Sequence, residues 1–106
     1  CEELGGGDGT IVVEFIDLFI SDTPALMSGL REALDSGDAE LAQRSAHTLK
    51  SNAAIMGAQA LTASCMHLEE LARVGALNAV AAALPACEAI YTRSVAALRA
   101  LRDDFV

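Results

Sequence analysis

The sequence predicts an all-α protein: an antiparallel up-down four-helix bundle with an additional short helix at its N-terminus. Three observations point there. Hydrophobic residues make up 53% of the 106 positions, yet aromatics only 4%, with no Trp. The apolar residues are mainly Ala and Leu, which suit helices, whereas a sheet-rich domain would carry more Val, Ile, Thr and Tyr. Those apolar residues recur at spacings of three and four, and glycines punctuate the pattern at short connections. Long helices joined by short connections imply antiparallel neighbours. A chain of this length forms one domain around one core.

The opening CEELGGGDG reads as a linker, residues 1–9, leaving 10–106 as the domain. Its first residue is Cys and not Met, which points to a domain within a longer protein. In TIVVEFIDLFIS the β-branched run could pass for a strand, but Val12, Phe15, Ile16, Phe19 and Ile20 follow helical spacing. Asp22-Thr23-Pro24 then predicts a break and restart, with Thr23 as N-cap and Pro24 at the first helical position. The second helix, to about Asp35, turns Leu26, Met27, Leu30 and Leu34 inward. Gly37 supplies a left-handed exit, and Asp38 caps a third helix running from Ala39 to about Met56, where Gly57 stops it. A fourth spans roughly 58–74 and stops at Gly75. The last runs from near Asn78 towards Asp103, with Pro85 predicting a kink or a short helix feeding a longer one.

Composition also narrows function. A net charge of −8 argues against nucleic acid or an anionic membrane as partner, since both demand a basic footprint. No apolar run approaches the ~18–20 residues of a membrane span, and no signal-peptide arrangement is visible. Cys1, Cys65 and Cys87 form no CxxC pair; Cys65 and Cys87 fall in helical apolar patterns and read as buried free thiols in a reducing compartment.

Lys50, in SAHTLKSNAAIMGA, is the chain's one lysine, three residues after His47. On an idealised wheel, Leu41, Ala42, Ser45, Leu49, Asn52, Ala53 and Met56 form the core face of this helix. His47 points to the opposite, solvent side, with Gln43, Lys50, Ser51 and Ala54 within about 60° of it. A neutral imidazole nitrogen is a nucleophile, and an exposed histidine is mostly neutral at pH 7. A lysine one turn away attracts phosphoryl oxygens, and small neighbours leave room for a partner's active site. No carboxylate stands at a helical spacing from His47 that would make a general-base pair, and there is no Gly-rich phosphate loop. Such a site can carry a phosphoryl group without catalysing its own transfer.

AHTLKSNAAIMGA followed by LTASCMHLEELAR resembles the histidine-containing phosphotransfer (HPt) domains of multistep phosphorelays. His47, Lys50, Gly57, Ala58, Leu61, Cys65, Leu68 and Glu69 stand where that family's pattern places them, and the likeness covers nearly the whole chain. The resemblance implies an HPt-like four-helix bundle with His47 as phosphoacceptor and Lys50 as charge partner of the phosphate. It implies a phosphocarrier and not an enzyme, with no cofactor of its own. Mg²⁺ and the catalytic groups belong to the partner, a response-regulator receiver domain, and a sensor or hybrid histidine kinase stands upstream. A monomeric, cytoplasmic domain is expected, including the cytoplasmic part of a membrane-bound hybrid kinase. Gln43, Ser51, Ala54 and Ile55 are the candidate docking residues, and Gly57 is structural. Ser51 departs from the family, where glycine often follows the lysine; serine is still small and can donate to the ring or phosphate.

Several plainer readings stand beside these. His67 has Glu70 at +3, not lysine, and reads as structural or surface. A metal site from His47, His67 and Cys65 would need two helices to converge and is set aside. Ser45 and Asn52 are polar residues on a core face and need partners there. Arg44 and Arg73 read as solvated ahead of the alternative that they help dock an acidic receiver surface, and Ile11, Val12 and Phe15 as either core or an apolar dock. A helical interaction module that docks a receiver or another protein without being phosphorylated is the alternative function. The dimerisation domain of a histidine kinase is disfavoured, because Thr48, not an acidic residue, follows His47 and no proline appears until Pro85.

Overall fold

The computed structural model describes residues 2–104, with side chains from residue 11 onward. Four helices follow one another: α1 (Glu2–Ser36), α2 (Ala39–Ile55), α3 (Gln59–Arg73) and α4 (Leu77–Asp103). They pack in a ring, α1 on α2, α2 on α3, α3 on α4 and α4 back on α1. The described residues include no strand. At about 1.5 Å per residue the 35-residue α1 spans roughly 52 Å, and the molecule measures 52 × 20 × 19 Å.

All three connections use one device. Gly37, Gly57 and Gly75 have φ of +72°, +73° and +78°, a left-handed conformation that a side chain disfavours. The amide after each glycine reaches back to a carbonyl in the last helical turn: Asp38 N to Ala33 O, Ala58 N to Ala53 O and Ala76 N to Leu71 O, at 2.8–2.9 Å. Gly57 therefore stops α2 as the sequence predicts. Asp38 caps α2 as expected, its carboxylate accepting from Leu41 N at 3.0 Å.

Thr23 is not an N-cap, and Pro24 does not restart a helix. Both lie inside α1, so the expected short N-terminal helix is fused to the next one. The reason is tertiary. Ile16, Phe19, Thr23, Met27, Leu30 and Ala33 form one buried stripe at spacings of three and four, which a break would throw out of phase. Pro24 lies on the exposed side of α1, at the edge of a groove shared with Tyr91 and Val95 of α4 and outside the buried stripe. Burial of that stripe outweighs the ~3 kcal/mol that an internal proline costs. The same holds in α4, one helix despite Pro85, because Val80, Leu84, Cys87 and Leu98 keep a single face inward and Pro85 is exposed. The backbone of residues 2–9, read as a linker from its glycines, is helical as well. Extending an existing helix escapes the nucleation cost that glycines would otherwise make prohibitive.

Thr23 is fully buried, its hydroxyl donating to Phe19 O at 2.6 Å and sharing a 2.8 Å hydrogen bond with Tyr91 Oη of α4. Thr23→Val keeps the volume but orphans the Tyr91 hydroxyl, and should cost about 1–2 kcal/mol in chemical denaturation. Adding Tyr91→Phe should then cost little more, since the two hydroxyls act as one unit.

The core centres on Leu30, Leu49, Leu61, Leu68 and Val80, with alanines 33, 42, 46 and 53 where helices approach closely. Ser45 is 6% exposed, and a Cβ on Gly29 would lie 2.8 Å from its Oγ, so α1 and α2 cross tightly there. Asn52 is only half-buried and faces the α1–α2 groove instead of the core. Cys65 and Cys87 are buried and free; the hydrogen bond that the Cys65 thiol donates to Cys87, then burial, pushes the Cys65 thiol up. Cys1 lies outside the described residues. Arg31 pairs with Glu88 and Arg102 with Asp17, tying α1 to α4 at the surface. No described helix is long and apolar enough to cross a membrane.

Candidate functional site

His47 sits midway along α2 with its side chain 59% exposed, as the wheel predicts. Its ring is not isolated. Nδ1 lies 2.9 Å from Glu69 Oε2, a residue that α3 brings across from 22 positions along the chain. Helical spacing within α2 offers His47 no carboxylate partner; contrary to that expectation, packing of α3 supplies one from outside the helix. Leu68 and Cys65 bury the inner face of α3, which fixes the rotation of that helix and turns Glu69 to the α2 seam.

An ionised carboxylate only accepts, so the proton of a neutral His47 resides on Nδ1, donated to Glu69. The lone pair is then on Nε2, on the far side of the ring from Glu69. Glu69 thus selects the tautomer whose Nε2 is free to act as a nucleophile.

Lys50 completes the arrangement differently from the sequence reading. Its Nζ lies 2.6 Å from Glu69 Oε1, and its side chain is only 26% exposed. Glu69 Oε1 is sealed from solvent with no other close partner. The Lys50 ammonium, and then the His47 hydrogen bond, hold the Glu69 carboxyl below its ordinary range despite the opposing effect of burial. Lys50 is thus bound first to the carboxylate that orients the histidine. Two further donors of its ammonium are left for another anion.

The remaining candidates are placed as follows. Gln43 is half-buried and lines a cleft of about 380 Å³ with Glu40, Arg44, His47 and Glu69. Ser51 is exposed, but its hydroxyl donates to His47 O at 3.2 Å, within its own helix, and not to the ring. Ala54 is exposed and shares a shallow apolar depression with Gly57, Thr62, Ala63 and Met66. Ile55 is 69% exposed and borders a groove of about 220 Å³ between α1 and α2, with Phe15, Leu18 and Asn52. Of the residues left open between core and dock, Ile11 and Phe15 are half exposed and Val12 is partly buried. Arg73 is engaged with Glu70 on its own helix, and His67 is a surface residue of α3.

Two residues escaped the sequence reading. Glu69 was visible as part of a family pattern, but its partner depends on how two helices pack. Leu18, 56% exposed and beside Phe15, extends the apolar surface of α1; its position off the core stripe was the available signal.

Comparison with solved structures finds the histidine-containing phosphotransfer protein B (HptB) of Pseudomonas aeruginosa PAO1, at a TM-score of 0.83 and 29% identity. That match covers 87% of this chain and 80% of the other. No curated protein matches the chain. The family model for the Hpt domain matches residues 14–103, nearly all of the bundle that holds His47, Lys50 and Glu69, and the chain belongs to the Hpt domain family.

Proposed function

We propose that this domain is the phosphocarrier of a phosphorelay, with His47 accepting a phosphoryl group from a receiver-domain aspartate and passing it on. The observation that carries this reading is the Glu69–His47 hydrogen bond, which leaves an exposed Nε2 lone pair. Nε2 attacks the phosphorus of the receiver's aspartyl phosphate; the N–P bond forms as the P–O bond to the aspartate breaks, and the carboxylate leaves. The Nδ1 proton stays on the ring, held by Glu69, so the product is a phosphoimidazolium whose neutral imidazole is a good leaving group for onward transfer. Mg²⁺ and the transfer machinery belong to the receiver, and this domain, residues 10–106, needs no cofactor. A spare donor of Lys50 reaches the phosphate while its first holds Glu69.

The receiver docks over the His47 face of α2. Gln43, Ser51 and Ala54 give it a low surface, and Ile55 with Phe15 and Leu18 gives it an apolar one. Fully desolvated apolar anchors of this kind dominate association. A sensor or hybrid histidine kinase supplies the relay, and the domain acts as a cytoplasmic monomer.

Incubation with a phosphorylated receiver should place acid-labile, alkali-stable label on the wild-type domain and none on His47→Gln, whose fold should match wild type by circular dichroism. Equal labelling of His47→Gln sinks the proposal. Receiver binding without any transfer to the wild type would leave an interaction module.

A further inference from the structure

A spare donor of Lys50 gives the phosphoryl group a hydrogen bond, but the charges around His47 give it no net positive charge. Lys50 and Glu69 cancel, because the one ammonium in contact with the site is 2.6 Å from the one carboxylate in contact with the imidazole. The whole chain carries −8, so a phosphoryl dianion on His47 enters an unfavourable field. Some cation not already committed has to offset it.

Arg31, Arg73 and Arg102 each hold a carboxylate elsewhere on the surface. Among the described residues Arg44, Arg93 and Arg99 enter no ion pair, and Arg93 and Arg99 belong to α4, whose main packing is on α1 and α3. Arg44 alone of these three lines the His47 cleft, together with Glu40, Gln43 and Glu69. It precedes His47 by three residues, so the two are neighbours on one helix face, with Arg44 on the N-terminal side and Lys50 on the C-terminal side. Its planar fork of donors suits two oxygens of one phosphoryl group better than an ammonium does.

Resting on the phosphocarrier reading, we propose that Arg44 is a phosphate-binding residue of this site, its guanidinium taking the oxygens of the phosphoryl group on His47 Nε2. Glu40, one turn before Arg44 and in the same cleft, competes for the guanidinium. Lys50 serves chiefly to hold Glu69, and Arg44 supplies the charge that Lys50 has already committed.

The test uses no receiver, so it is separate from the test of the phosphocarrier reading. Phosphoramidate phosphorylates imidazoles chemically: its P–N bond breaks, ammonia leaves with a proton, and the new N–P bond forms on His47. At low ionic strength Arg44→Gln should be phosphorylated roughly two- to fivefold more slowly than wild type, the range of an exposed charge pair. Arg44→Lys should recover part of the loss, Glu40→Gln should be faster than wild type, and the differences should shrink at high salt. In the wild type the side-chain Nε–Hε resonance of Arg44, assigned by its loss in Arg44→Gln, should shift on phosphorylation. An Arg44 resonance that does not move overturns the contact whatever the rates do, and a wild-type rate for Arg44→Gln at low salt overturns the contribution. Either result leaves transfer from a receiver to His47 untouched.

Discussion

Glu69→Gln should slow phosphoryl transfer to and from His47 by roughly 10- to 100-fold, by analogy with the cost of removing the partner that orients a metal-binding histidine. The carboxylate can only accept a hydrogen bond, whereas the amide can also donate one to Nδ1 and so favour the tautomer with the ring proton on Nε2, where it blocks attack. Quenched-flow transfer from a phosphorylated receiver reads the rate, and ¹⁵N NMR of the imidazole reads the tautomer. The wild type should show Nδ1–H, and Glu69→Gln a mixture. Unchanged rate with unchanged tautomer would mean that Glu69 does no more than hold Lys50.

The same carboxylate ties stability to pH. Its folded-state pKa lies below the ordinary value, first because of the Lys50 hydrogen bond and then that of His47. Its contribution is therefore fully present above the unfolded pKa and is lost as pH falls through the folded one. Wild type should weaken across that acid window, and Glu69→Gln should lack this part of the loss. Lys50→Ala, which strands the sealed Oε1 of Glu69, should both destabilise the domain by about 1–3 kcal/mol and slow transfer.

Leu49→Ala should be the most damaging single change to the fold while sparing the chemistry. Leu49 is wholly buried, two residues from His47 and therefore on the opposite side of α2, packed in the core with Leu30, Leu61 and Leu68. Truncation leaves a cavity that the neighbouring helices fill only in part, costing about 2–5 kcal/mol of a total that for such domains is about 5–15 kcal/mol. Urea denaturation measures the loss. The fraction that remains folded should still take label at His47, because Glu69 and Lys50 are untouched. A cost under about 1 kcal/mol would show that the small-residue crossings let the bundle collapse around the gap.

Much of this was legible without coordinates. His47 outward and Leu49 inward follow from the wheel of one helix. Gly37, Gly57 and Gly75 mark the helix ends because a left-handed residue is a local requirement. Asp38 caps because its partner, Leu41 N, is three residues away. Thr23-Pro24 misled for the complementary reason: its local chemistry does favour a break, and only a core stripe running from Ile16 to Ala33 outweighs it. Ser51 also went to the nearest acceptor, the carbonyl of His47 one turn back, rather than to the ring.

The all-α class, the helix ends after α1, the exposed histidine and the family pattern around it are readable along the chain, since each depends on residues within a turn or two or on a linear motif. The tertiary structure alone decided what surrounds the histidine. Glu69 meets both Nδ1 and Lys50 only because burial of Leu68 and Cys65 sets the rotation of α3 against α2, across 22 residues of chain. That packing makes Lys50 a holder of Glu69 and leaves Arg44 in the cleft beside His47 without an ion-pair partner among the described residues, for charges find partners by distance in space and not by separation in sequence.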